Sequence, residues 1–162
     1  MIPIESKVGW AKQCVREFGK RLEADAEIRE LLSRLQEAIR DTRSRMVAAG
    51  VMEACRKCEE EEGGSCCGAG IENRYDDVML LINALLGKKL PEFRSLPGSC
   101  FFLGEDGCML DARHVLCVNY LCEQAVRQCD PEQLKALRNV EGEELMLIQA
   151  LHDRVKKVLA TP

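Results

Sequence analysis

Ten of the 162 residues are cysteines, and eight of these fall between positions 55 and 122 in two groups of four. The first group reads Cys55-x2-Cys58-x7-Cys66-Cys67, and the second reads Cys100-x7-Cys108-x8-Cys117-x4-Cys122. A thiol is a small side chain and adds little apolar area to a core. A crowd of thiols in one stretch points instead to disulfides or to soft and borderline metals. A Cys-x-x-Cys pair can turn two sulfurs toward one ion, and thiolate is the ligand that zinc and iron–sulfur clusters share. The opening residues, Met1-Ile2-Pro3-Ile4-Glu5-Ser6-Lys7, do not run from a charged segment into an apolar one, so no secretory leader is expected. In the cytoplasmic setting this implies, thiols stay reduced, and metal is the expected use rather than a disulfide framework. The metal-ligand candidates are Cys55, Cys58, Cys66, Cys67, Cys100, Cys108, Cys117 and Cys122. Their spacing fits one site or two, and fits zinc or an iron–sulfur cluster. Cys14 and Cys129 lie outside both groups and are read as small core residues.

The rest of the chain reads as helix. Val8, Ala11, Val15 and Phe18 recur at helical spacing and predict a short helix over residues 6 to about 19. A stronger stripe of Ile28, Leu31, Leu32, Leu35, Ala38, Ile39 and Met46 predicts another from about 23 to 49, with Gly50 as a break and a further turn or two running into Cys55. Residues 55–70 hold four glycines and a run of glutamates at 59–62, and are expected to be irregular. Asn73 is read as the cap of a helix that has Asp76 and Asp77 in its first turn and Gly87 at its end. Residues 101–110 suggest a tiny hairpin or tight loop, and residues 115 to about 127 a helix. Asp130-Pro131-Glu132-Gln133 starts a last helix reaching about residue 159, with Leu134, Leu137, Val140, Leu145, Ile148, Leu151, Val155 and Val158 on one face.

The expected fold is therefore mainly α: a bundle-like helical scaffold around an irregular cysteine-rich region, with at most a tiny β-hairpin. One domain is expected over residues 1–162, divided into N-terminal helices (1–50), a cysteine-cluster core (51–129) and a C-terminal helix (130–162). Aromatic residues make up only 4%, so Leu, Ile, Val, Met and Ala are expected to build the core.

Composition narrows the function. The net charge is −4, and the densest basic group, Arg40, Arg43 and Arg45, sits among acids, so nucleic acid is not an expected partner. The longest apolar stretch, residues 78–86, is too short to cross a membrane and contains Asn83. His114 lies within the second cysteine group. It is read as a half-exposed loop residue in preference to a ligand or a donor to a thiolate, and His152 is read as solvated. The glutamates at 59–62 are read as a solvated run rather than as oxygen ligands. No phosphate-binding loop, dinucleotide fingerprint, nucleophile elbow or Glu-x-x-His pair occurs, which argues against an enzyme.

Several of these residues also form a pattern. The Cys66-Cys67 doublet, then Cys100-Phe101-Phe102-Leu103, Gly107-Cys108, Arg113, Cys117 and Cys122 resemble the YkgJ-type cysteine-cluster family, also called the CxxCxxCC zinc- or iron-chelating domain. The likeness covers about residues 55–122. It departs from the family in a longer gap between Cys58 and Cys66, in His114 where proline is usual, and in Val118 where an arginine often follows the cysteine. Flagellin lysine-methylases of bacteria carry a similar cluster. The resemblance implies metal chelation through the cysteines and no particular pathway. Two other readings stand beside it: a helical protein-interaction module with structural cysteines, whose α-helical stripe at 28–46 seats a partner or a second copy, and a thiol–disulfide redox protein. The expected packing of that stripe is against the last helix of the same chain.

Overall fold

The computed structural model describes residues 1–62 and 66–162, without the side chains of Glu59 and Glu62. The chain folds in the order α1 (Ile4–Ala24), α2 (Ala26–Ala49), α3 (Val51–Glu62), a 3-10 turn (Ile71–Arg74), α4 (Asp77–Leu85), β1 (Leu103–Gly104), β2 (Gly107–Cys108), α5 (Val115–Asn119), α6 (Glu123–Gln128) and α7 (Pro131–Ala160). The mainly α fold expected from the hydrophobic periodicity is the one observed, and the only sheet among the described residues is the hairpin β1–β2.

The stripe of α2 packs along α7, and α1 lies against α4. Leu22, Ile28, Leu35, Leu151 and Val155 are fully enclosed where these helices meet. Each such side chain contributes about 1.5–3 kcal/mol of burial. Tyr75, Phe101 and Phe102 are also enclosed, whereas Trp10, Phe18, Phe93 and Tyr120 are exposed. A second, smaller apolar cluster of Ala49, Val51, Cys129 and Leu137 lies under α3 and α6. Cys14 and Cys129 are both buried, as core residues should be.

Several boundaries differ from those the sequence suggests. The first helix runs on to Ala24, because Leu22 continues its buried face; Asp25 then caps α2 by accepting from the Ile28 N–H at 3.0 Å. Cys55 and Cys58 sit in α3 and not in a loop. Residues 51–62 contain neither Gly nor Pro, and Arg56 bridges Glu53 and Glu60 at 2.7 Å each, one turn away on either side. Gly50, at φ +83°, supplies the break before them. Asn73 belongs to the 3-10 turn, and the true cap of α4 is Asp76, which accepts from the Met79 N–H at 2.8 Å. The segment 115–127 is two short helices, α5 and α6, parted at residues 120–122. The last helix begins as expected, with Asp130 accepting from the Gln133 N–H at 2.9 Å and Pro131 as its first residue. Among the described residues no helix is long and apolar enough to cross a membrane.

Candidate metal centre

The cysteine-bearing segments are joined by the backbone itself. Gly68 and Ser99 form an antiparallel bridge, the Cys100 N–H donates to the Cys67 carbonyl at 2.7 Å, and the Ala69 N–H donates to the Gly98 carbonyl at 3.2 Å. These bonds set the Cys66-Cys67 doublet beside Cys100, a residue distant along the chain. Glu72, only 3% exposed, fastens the same junction. One of its oxygens accepts from the Gly70 N–H at 2.8 Å and the other pairs with Arg94, which also donates to the Ser99 carbonyl. Burial alone would raise the Glu72 carboxyl, but the Arg94 guanidinium and the Gly70 N–H hold it below its ordinary range.

The hairpin brings in the next thiol. Leu103 pairs with Cys108 and Gly104 with Gly107, while the Leu103 N–H donates back to the Cys100 carbonyl at 3.0 Å. Gly107 makes this tight turn at φ +104°, a conformation that side chains resist. Cys117 arrives from the first turn of α5. The Tyr75 hydroxyl accepts from the His114 N–H at 3.0 Å and shares a hydrogen bond with the Cys117 side chain. Burial first, and the Cys117 thiol second, push the Tyr75 phenol far above its ordinary value, so it stays a neutral donor.

The outcome is a cavity of about 440 Å³ lined by Cys66, Cys67, Cys100, Cys108 and Cys117, with Tyr75, Phe102, Leu116 and Arg113 among its other walls. Burial pushes the Cys100 thiol up to about 11 and raises Cys67 and Cys108 as well. Neighbouring thiols add to this: Cys67 feels Cys108 and Cys117, and Cys100 feels Cys108 and Cys67. Arg113 pulls Cys67 and Cys108 the other way.

Cys55, Cys58 and Cys122 do not line this cavity. They form a second neighbourhood where α3 meets α6. The Cys55 thiol is raised by burial and then by Cys66, Cys122, Cys58 and Cys129. The Cys122 sulfur caps α6, accepting from the Ala125 N–H at 3.4 Å. The sequence groups are thus exchanged in space: Cys67 goes with Cys100, Cys108 and Cys117, and Cys122 goes with Cys55 and Cys58. Cys66 lines the cavity and also bears on Cys55. Among the described residues no three Cys, His, Asp or Glu side chains are already drawn together closely enough to grip an ion, and none of the ten cysteines forms a disulfide.

His114 faces away from the thiols. Its Nδ1 accepts from the Leu116 N–H at 3.2 Å, and it lines a separate depression with Arg74, Asp76 and His152. His152 is not solvated as expected: its side chain is only 17% exposed, and Nε2 lies 2.7 Å from Asp76. Glu60 is held by Arg56, Glu61 is exposed, and the side chains of Glu59 and Glu62 lie outside the described residues.

Sequence reasoning missed the residues that assemble the site. Asn83 is one: fully buried in α4, its Oδ1 accepts from the Asp111 and Ala112 N–H groups at 2.8 and 3.0 Å. Its Nδ2 donates to the Ala112 carbonyl at 2.9 Å. A lone amide inside the apolar run 78–86 was the signal, since such a group must find partners when buried. Family models, curated proteins and solved structures were compared with the chain, and none matches.

Proposed function

We propose that this chain is a metal-binding protein whose centre is held by the thiolates of Cys67, Cys100, Cys108 and Cys117. Cys66 stands at its rim, and Cys55, Cys58 and Cys122 form an adjoining set. One observation carries the reading: five cysteines from four separate segments line a single cavity of about 440 Å³. The motif likeness to the YkgJ-type cysteine-cluster family over residues 55–122 points the same way. All-thiol walls suit zinc and iron–sulfur clusters alike, and the cavity has room for either. Zinc would brace the loops that carry its ligands, and an iron–sulfur cluster would supply an electron carrier.

The thiols of Cys67, Cys100 and Cys108 sit above their ordinary range, so they hold protons at neutral pH. Metal binding must expel those protons, and affinity should rise with pH. The protein purified without oxygen should carry zinc, or iron together with sulfide and broad visible absorption. Cys108→Ser should lose the metal, and Cys14→Ala, altered in the core of α1, should keep it. Metal-free protein from such a preparation, or a wild-type protein oxidised in cysteine pairs, would sink the reading.

A further inference from the structure

The segment between β2 and α5 is fixed on both sides of one residue. Before it, the Asn83 amide binds the backbone of Asp111 and Ala112 at 2.8–3.0 Å. After it, the His114 N–H is held by the Tyr75 hydroxyl at 3.0 Å. Asp111 is also tied to α2 by Arg43 at 2.7 Å. Arg113 stands between these pins. Its side chain lines the thiol cavity, and its Nε is buried without a hydrogen-bond partner among the described residues.

Two carboxylates of α7, Glu141 and Glu144, are exposed by only 2% and 1%. Arg113 acts electrostatically on both. Glu141 has a second cation, Arg138, at 2.9 Å, and Glu144 is acted on by Thr42 and Arg43 of α2 as well as by Arg113. A guanidinium is costly to bury and is kept where negative charge needs it. Two carboxylates on one side explain part of that need. The thiol side explains the rest: four thiolates around a divalent ion keep a net negative charge, which an apolar cavity resists.

Resting on the metal-centre reading, we propose that Arg113 is the built-in counter-charge of the thiolate centre, its backbone fixed on both sides by Asn83 and Tyr75 and its charge shared with Glu144. The backbone on either side of Arg113 is pinned without help from Glu144, so the carboxylate competes for the charge and is not needed to place the residue. Arg113 therefore sets how strongly the four cysteines hold a dication without being a ligand.

The test is a cobalt(II) titration of the metal-free protein at fixed pH, followed by thiolate-to-cobalt absorption, with a urea midpoint measured on each variant. Arg113→Gln should weaken cobalt binding by about 10- to 100-fold, the range typical of groups that support metal ligands. Arg113→Lys, which keeps the charge, should restore most of the affinity. Glu144→Gln, which removes the competing anion, should bind cobalt more tightly than wild type. A merely structural ion pair predicts the opposite for Glu144→Gln, weakening alongside Arg113→Gln, and that result overturns the proposal. So does wild-type affinity in Arg113→Gln, or an Arg113→Lys as weak as the Gln variant. Should Arg113→Gln fail to fold, the Lys and Glu144→Gln variants decide by the same signs. A wild-type protein that takes up no cobalt sinks the metal-centre reading itself, whereas cobalt uptake indifferent to Arg113 sinks only this inference.

Discussion

The helical scaffold and the cysteine-bearing shelf, residues 66–117, differ in what fixes their geometry. In α1, α2 and α7 cohesion is spread over many apolar side chains, among them Leu22, Ile28, Leu35, Leu151 and Val155, all fully enclosed. Residues 66–117 also bury apolar side chains, Leu80, Ile82, Phe101, Phe102 and Leu110 among them, but the loops that carry the thiols are fixed by a few buried polar groups: Glu72 with Arg94, Asn83 with the backbone at 111–112, and Tyr75 with His114. Spread cohesion tolerates the loss of a part while the geometry survives. Single polar contacts instead fix the thiol-bearing loops through individual atoms. Damage to the scaffold should therefore lower stability and spare the site, and damage to a pin should do the reverse.

The largest expected effect is on the scaffold side. Leu151→Ala empties a fully enclosed position between α2 and α7, and should cost about 2–5 kcal/mol in urea unfolding. Metal bound per folded molecule should not change. Next comes Asn83→Ala, which strips partners from the Asp111 N–H and from both backbone groups of Ala112. It should cost about 1–3 kcal/mol and, unlike Leu151→Ala, should abolish metal uptake by the folded fraction. If the two variants lose metal in equal proportion to their stability, the contrast between the regions is void. Smaller again is Tyr75→Phe, which removes the acceptor of the His114 N–H at about 0.5–1.5 kcal/mol. Hydrogen exchange at the His114 amide should quicken while amides in the middle of α7 stay protected.

The same contrast explains what could be read from the sequence. Burial by periodicity is legible, because the 3.6-residue repeat that marks α2 and α7 is also what packs them. The packing of the Ile28–Met46 stripe on α7 follows directly. The loops that carry the thiols are set by register and by single polar contacts, and neither leaves a periodic trace. Nothing in the spacing separates Cys67 from Cys66, yet one backbone hydrogen bond to Cys100 places Cys67 with the second group. Cys122 drops out of its sequence group because the chain turns at residues 120–122 and starts α6 with that sulfur as cap. Helix α3 was hidden for another reason: glycines at 63, 64, 68 and 70 coloured the whole segment, although residues 51–62 hold none.

The smallest effect isolates a polar contact that belongs to the scaffold. Asp25 joins three helices: it follows α1, caps α2 through the Ile28 N–H, and meets Arg154 of α7 at 2.6 and 3.1 Å. The Arg154 hydrogen bond first, and the Ile28 N–H second, lower its carboxyl to about 2. An unfolded aspartate titrates near 3.9, so between the two values the unfolded chain binds the extra proton. The stabilisation is therefore present above about pH 4 and is lost as the pH falls toward 2. Asn is as good a cap as Asp, so Asp25→Asn removes the ion pair and keeps the cap. With Asp25 16% and Arg154 26% exposed, solvent screens the pair, and the variant should lose only about 0.5–1 kcal/mol at pH 7. That difference should shrink as the pH falls from 4 toward 2 and vanish below it, and cobalt uptake at neutral pH should match wild type. Unfolding curves that stay parallel from pH 7 to pH 2 would remove the ion pair from the account of the scaffold. Impaired cobalt uptake would show that a scaffold contact reaches the thiols, against the separation drawn between the two regions.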